Sequence, residues 1–134
     1  MRTDIDYLRG LMSVFLDTED PWVNTDELDA AGFDITSPKG LHHYHLLAEQ
    51  GFISDYKLRR NPEFLGLMYH MNGIEKVPHH TLRLTAEGMA FAQTLEDPTV
   101  FEKLKSFSDA PLDVLKDVGG DIFKALLKKK LGIE

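Results

Sequence analysis

The chain contains no cysteine, which excludes disulfides, thiolate nucleophiles and cysteine metal sites. It also lacks any apolar run near the roughly 20 residues that a membrane-spanning helix needs, so no membrane partner is expected. The opening MRTDIDYLRG is acidic and has no apolar centre of the kind a signal peptide carries, so export is not indicated and a cytoplasmic location is the simplest expectation. Positive charge is scarce. Lys and Arg total 15 against 22 Asp and Glu, a net charge of −7, which argues against a general polyanion binder. Glycine-rich phosphate loops, serine-nucleophile motifs, HExxH and recognisable carboxylate dyads are all missing. Asp4 and Asp6, two apart at a helix start, diverge and are better explained as first-turn acids than as an acid/base pair. The sequence therefore predicts no enzyme, no cofactor and no metal. No internal repeat or low-complexity segment interrupts it.

What is present is a chain of 134 residues, long enough to bury a core as one domain. Charge is unevenly spread. Residues 1–36 carry two cations and nine anions, residues 37–83 six cations and four anions, and residues 84–134 seven cations and nine anions. All six histidines lie in the middle segment. Acidic flanks thus enclose a mildly basic centre.

The clearest local pattern is Ser37 to Ile53, SPKGLHHYHLLAEQGFI. Ser37 suits a helix N-cap and Pro38 the first helical position, where its missing N–H costs nothing. Leu41, Tyr44, Leu47 and Ala48 recur at three- and four-residue steps and share one face. Gly51 stands where a left-handed residue would end the helix, and Phe52-Ile53 opens an extended run. The opposite face presents Lys39, His42, His45 and Glu49, with His43 near its boundary.

Ahead of this stretch, residues 3–17 read as a helix with Thr3 and Asp6 as a capping box and Ile5, Leu8, Met12 and Phe15 as its buried stripe. Trp22-Val23 reads as a short strand or a core contact, and Asn24 or Thr25 as the cap of a short acidic helix that stops at Gly32. Behind it, FISDYKLRR at 52–60 reads as a strand with Ile53, Tyr56 and Leu58 inward. A break is expected at Asn61-Pro62, a further strand within 64–71, and a turn at Asn72-Gly73. HTLRLT at 80–85 alternates and is expected to pair with 52–60. Thr85 then caps a helix with Met89, Ala92 and Leu95 or Phe91 inward, and Asp97-Pro98 starts another with the stripe Val100, Leu104 and Phe107. Ser108 or Asp109 with Pro111 starts a last helix to about Leu131, with Gly119-Gly120 as a possible kink. Lys128, Lys129 and Lys130 suit its C-terminal end.

Helix, short acidic helix, central helix and strand–loop–strand together look like a winged helix-turn-helix. The fold class expected is α+β, with a small antiparallel β-ribbon and extra C-terminal helices: residues 1–96 as the winged-helix-like domain, 97–134 as an extension packed on it or used for dimerisation.

The chain also resembles an uncharacterised family of bacterial and phage-borne proteins, a domain of unknown function expected to be winged-helix-like. Asp4, Asp6, Leu8 and Arg9 match its opening pattern, and His43, Leu46, Leu47, Glu49, Gly51 and Ile53 its central helix-to-strand motif. Arg83, Leu84, Thr85, Glu87, Gly88 and Phe91 match a further block, Asp97, Thr99, Val100, Glu102 and Lys103 the next, and Pro111, Leu112, Val114, Leu115 and Lys116 the last. The match departs at 17–36 and in the 61–79 loop. The central motif is also similar to winged-helix transcription regulators, which implies DNA binding.

On that reading Lys39, His42, His43 and His45 enter the major groove, while Lys57, Arg59, Arg60, Lys76 and Arg83 meet phosphates. Neutral histidines add no charge at pH 7, so affinity should rise toward pH 6 and fall with salt. The competing reading is a non-enzymatic protein–protein module, in which the two amphipathic C-terminal helices form a homodimer or dock another protein. For the histidines themselves, a metal site needs more than His42 and His45 three apart with His79-His80 in a distant loop; surface and core histidines account for them.

Overall fold

The computed structural model describes residues 1–132 and is an α+β arrangement of helices around two small antiparallel sheets. Helix α1 runs Ile5–Asp17, followed by strand β1 (Val23–Asn24), the short α2 (Thr25–Ala30), α3 (Pro38–Glu49) and β2 (Ile53–Asp55). A 3-10 turn at Pro62–Phe64 leads into the hairpin β3 (Leu67–His70) and β4 (Gly73–Lys76). Strand β5 (Thr81–Leu84) and helices α4 (Ala86–Glu96), α5 (Pro98–Lys105) and α6 (Leu112–Leu131) complete the chain.

Local side-chain chemistry sets most boundaries. Ser37 accepts the Gly40 amide at 3.0 Å to cap α3, Thr85 accepts the Gly88 amide at 3.1 Å to cap α4, and Asp97 caps α5 through the amides of Thr99 and Val100. Gly51 ends α3 at φ +71°, a conformation costly for any residue with a Cβ. The first helix starts later than the capping-box reading implies: Asp4, not Thr3, is the cap, accepting the Tyr7 amide at 3.2 Å.

The main sheet has the order β1–β5–β2, so the last strand in sequence lies between the first two. Ile53 faces Leu84 and Asp55 faces Leu82, while Val23 faces Leu82 from the other side. The 52–60 and 80–85 segments therefore pair as expected, but β2 is only three residues long. Asp55 stops it. Its carboxylate accepts the amides of Lys57 and Arg59 and turns the chain, leaving Tyr56 and Leu58 exposed instead of inward, with Leu58 at φ +66°. The loop beyond is structured: β3 and β4 pair from Leu67–Lys76 to His70–Gly73, forming a separate sheet.

One core runs through the described chain, from Leu8, Leu11 and Met12 of α1 through Tyr44 and Leu47 of α3 to Leu95, Leu104 and Leu115 of the last three helices. The C-terminal helices pack on α4 and share this core. Phe101 takes the inward place expected of Phe107, which is exposed, and Phe91 rather than Met89 faces in from α4. Helix α6 continues without interruption through its glycine pair. Gly119 is buried because a Cβ there would lie 3.0 Å from Leu104 Cδ1, so the residue is small for packing.

Candidate functional site

Helix α3 buries Gly40, His43, Tyr44 and Leu47, exposes Pro38, Lys39 and Glu49, and leaves His42 and His45 half-buried along the ridge between Pro38 and Glu49. A cleft flanks this ridge on either side. On one side, a space of about 400 Å³ between α3 and the hairpin has Tyr44, Ala48, Pro62 and Leu65 as its walls, with His45, Glu49 and Tyr69 at its rim. Tyr69 of β3 stacks on His45 at a centroid distance of 6.0 Å, and its hydroxyl lies 3.0 Å from His45 Nε2. Tyr44 donates its hydroxyl to the Leu65 carbonyl at 2.7 Å, tying α3 to the start of the hairpin, and burial pushes its phenol pKa up. On the other side, His42, Leu46 and Glu49 face the chain's first residues and the start of α6 across a cleft of about 560 Å³. There His42 Nε2 is buried without a partner.

His43 requires a correction. Expected among the DNA-facing side chains, it is 0 % exposed. Its Nε2 lies 2.8 Å from the backbone nitrogen of Asp4, which can only donate, so Nε2 accepts. The proton then sits on Nδ1 and is donated to the Lys39 carbonyl at 2.7 Å. This neutral ring joins α3 to the cap of α1. Burial accounts for the lowering of its pKa below the usual histidine value. Its place at the boundary of the polar face, one residue from His42 on a helix, is why sequence periodicity left its direction open.

The cations expected at a DNA surface, Lys39 in the groove and the five set against phosphate, do not form one free surface. Lys39 Nζ is 2.7 Å from Asp4 Oδ2, a bond that raises the lysine pKa and lowers that of the aspartate. Lys76 Nζ is 2.6 Å from Asp29 Oδ2 and 3.8 Å from Asp34 Oδ1, and its pKa is raised chiefly by the Asp29 hydrogen bond. Arg59 donates through Nε to the buried Asp55 at 2.6 Å and lies 3.9 Å over the Phe64 ring. Burial by itself would raise the Asp55 pKa, but the donors from Arg59 and the turn outweigh it and leave it lowered. Arg60 is 3.9 Å from Glu87, and Lys57 is exposed beside Tyr56. Arg83 borders a different cleft, with Phe15, Asp20 and Trp22. Of the proposed set on α3, Lys39 is exposed but paired with Asp4, and His42 and His45 are half-buried along the ridge.

Family models, curated proteins and solved structures give no match to this chain. Function therefore has to be argued from the geometry.

Among the described residues no three His, Asp or Glu side chains converge as a metal site, and no helix is long and apolar enough to cross a membrane. The feature beyond the reach of the sequence is the placement of the β3–β4 hairpin against α3. The Asn72-Gly73 turn signal pointed to the hairpin, but nothing local tells that Tyr69 lands on His45.

Proposed function

We propose that this chain is a non-enzymatic interaction module on a winged-helix-like scaffold, and that the surface between α3 and the β3–β4 hairpin receives a protein. The order α1–β1–α2–α3–β2–hairpin–β5, with β5 between β1 and β2, supports the winged-helix-like reading. In it α3 holds the recognition-helix position and the hairpin that of the wing.

The observation that carries the choice of partner is the state of the cations. Lys39, Lys76, Arg59 and Arg60 each lie against a carboxylate of the chain itself. A phosphate would have to displace those carboxylates and then meet a molecule of net charge −7. The cleft beside α3 offers apolar walls with Glu49 at its edge. That fits an apolar anchor side chain with a Lys or Arg next to it.

Fluorescence anisotropy with a mixed-sequence duplex at about 50 mM salt tests the exclusion of DNA. No binding is expected. A peptide library panned against the protein should select an apolar residue beside a cation, with binding lost in Glu49→Lys and in the cleft-filling Ala48→Trp. Selected peptides indifferent to both variants would remove the site.

A second reading, sequence-specific DNA binding as in transcription regulators, is favoured by the element order and by the partly exposed stripe of Pro38, His42, His45 and Glu49. Duplex binding that falls steeply with salt and is lost with His42→Ala and Arg60→Ala would establish it over the protein reading.

A further inference from the structure

Among the described residues, no charged side chain of the long helix α6 forms an ion pair, and only Lys116, with its Nζ 5.8 Å from the Phe52 ring centroid, lies over an aromatic ring. The ion pairs among the described residues join α1, α2, α3 and α4, the turn after β2, the hairpin, α5, and Arg2 to Asp109 of the turn before α6, and none uses a side chain of α6 itself. Yet its outward stripe is strongly charged and sorted by sign. Asp117 and Asp121 stand one turn apart, followed by Lys124 and Lys128, again one turn apart, and all four are exposed. Within the stripe the like pairs Asp117–Asp121 and Lys124–Lys128 at i, i+4 repel, and the one opposite pair at i, i+3, Asp121–Lys124, offsets only part of that. The helix dipole accounts for Lys128, in the last turn, but its influence fades within the first and last turns and does not reach Asp117, Asp121 or Lys124.

Such a stripe is complementary to itself when reversed. We propose that α6 pairs antiparallel with α6 of a second copy of this chain, Asp117 and Asp121 of each helix facing Lys128 and Lys124 of the other. A single register satisfies both pairs, since each is centred on the same point between Ile122 and Phe123. At 100° per residue the exposed Val114 and Val118 fall along one edge of the stripe, and Leu127 and Leu131 along the other. These four side chains supply the apolar area, and the charges set direction and register. An open cleft of about 500 Å³ between α6 and α4, bordered by Glu87 and Ala90, leaves room for the side chains of the second helix. A parallel pair would set aspartate against aspartate and lysine against lysine. The inference stands on α6 alone and is independent of what α3 and the hairpin bind.

Light scattering coupled to gel filtration on the full chain, over a concentration series, tests it. The wild type is expected to be a dimer at high concentration. Lys124→Glu with Lys128→Glu, and separately Asp117→Lys with Asp121→Lys, should each raise the dimer dissociation constant about tenfold or more. Mixing the two variants should restore a dimer containing one of each. Circular dichroism establishes that the variants are folded. Because the chain has no cysteine, disulfide trapping gives a second measurement that needs no charge reversal. Asp117→Cys and Lys128→Cys chains should cross-link to each other when mixed. Neither should cross-link to itself, since two copies of residue 117 lie about 16 Å apart along the axis, beyond disulfide reach. A wild type that stays monomeric overturns the proposal. So does a dimer indifferent to both charge reversals, or self-cross-linking of Asp117→Cys.

Discussion

Replacing His43 by phenylalanine keeps a ring of similar size in the core and removes both of its hydrogen bonds. Those bonds, at 2.8 Å from the Asp4 amide and 2.7 Å to the Lys39 carbonyl, join the cap of α1 to the first turn of α3. The Asp4 N–H would be left without its acceptor in a partly buried position, a penalty of about 1–3 kcal/mol, and the second lost bond adds about 1 kcal/mol. The variant should therefore lose roughly 3 kcal/mol, a large share of the ~5–15 kcal/mol that holds a domain of this size. Truncation to alanine also opens a cavity and should cost more, about 4–5 kcal/mol.

The pH dependence separates this account from simple loss of packing. The folded protein holds His43 neutral with its pKa lowered, so the unfolded chain takes up the proton first. The stability His43 contributes is fully present above the ordinary histidine pKa of about 6.5. It is lost as pH falls from there through the depressed folded value. Protonation would set an Nε2–H against the Asp4 N–H, which is the physical source of the loss. Urea unfolding followed by circular dichroism at pH 7.5, 6.0 and 5.0 measures it. Wild type should weaken over this interval more steeply than His43→Phe. Equal slopes in the two proteins would refute the neutral-bridge assignment, whatever the variant's stability at pH 7.5.

Other substitutions probe single elements of the same argument. Asp55→Ala leaves the Arg59 guanidinium and two turn amides without their acceptor and should cost about 3–5 kcal/mol in urea unfolding; the parallel Arg59→Ala strands the 0 % exposed carboxylate and should cost a comparable amount. Tyr44→Phe removes the hydroxyl bonded to the Leu65 carbonyl and should lower stability by about 1 kcal/mol, with hydrogen exchange rising in the β3–β4 hairpin. Gly120→Ala meets nothing within 4 Å and should raise the melting temperature through about 0.5–1 kcal/mol of helix propensity. Gly88→Ala would set a Cβ 2.2 Å from the Phe52 carbonyl oxygen, so the helix must move off the strand and the melting temperature should fall sharply.

The features legible in the sequence were those decided within a few residues. The caps at Ser37, Thr85 and Asp97 depend on a side chain reaching an amide two or three positions on, and the stop at Gly51 depends on one dihedral angle. The run 52–60 misled because its alternation outweighed Asp55, a residue poorly suited to strands and well suited to collecting amides two and four residues ahead. That signal was available. No comparable signal tells that Phe101 is inside and Phe107 outside, since both positions fit a helical stripe and the choice is made by where α4 and α6 lie.

The charge pattern carries the more general lesson. An acidic first segment followed by a mildly basic middle is compatible with a basic part that faces a nucleic acid. Asp4, Asp29 and Asp34 of the first segment instead lie against Lys39 and Lys76 of the middle one. Opposite net charge in consecutive segments of one chain is thus a sign that the segments dock on each other, before it is a sign of an external polyanion. The same logic bears on α6: its exposed stripe of Asp117, Asp121, Lys124 and Lys128 carries both signs, acid before base, and among the described residues no ion pair takes them up. Where internal docking consumes charge, as at α1 and α3, the surface loses its case for DNA. Where it does not, the unmatched stripe points to another molecule, and a stripe acidic in one half and basic in the other is matched by its own reverse.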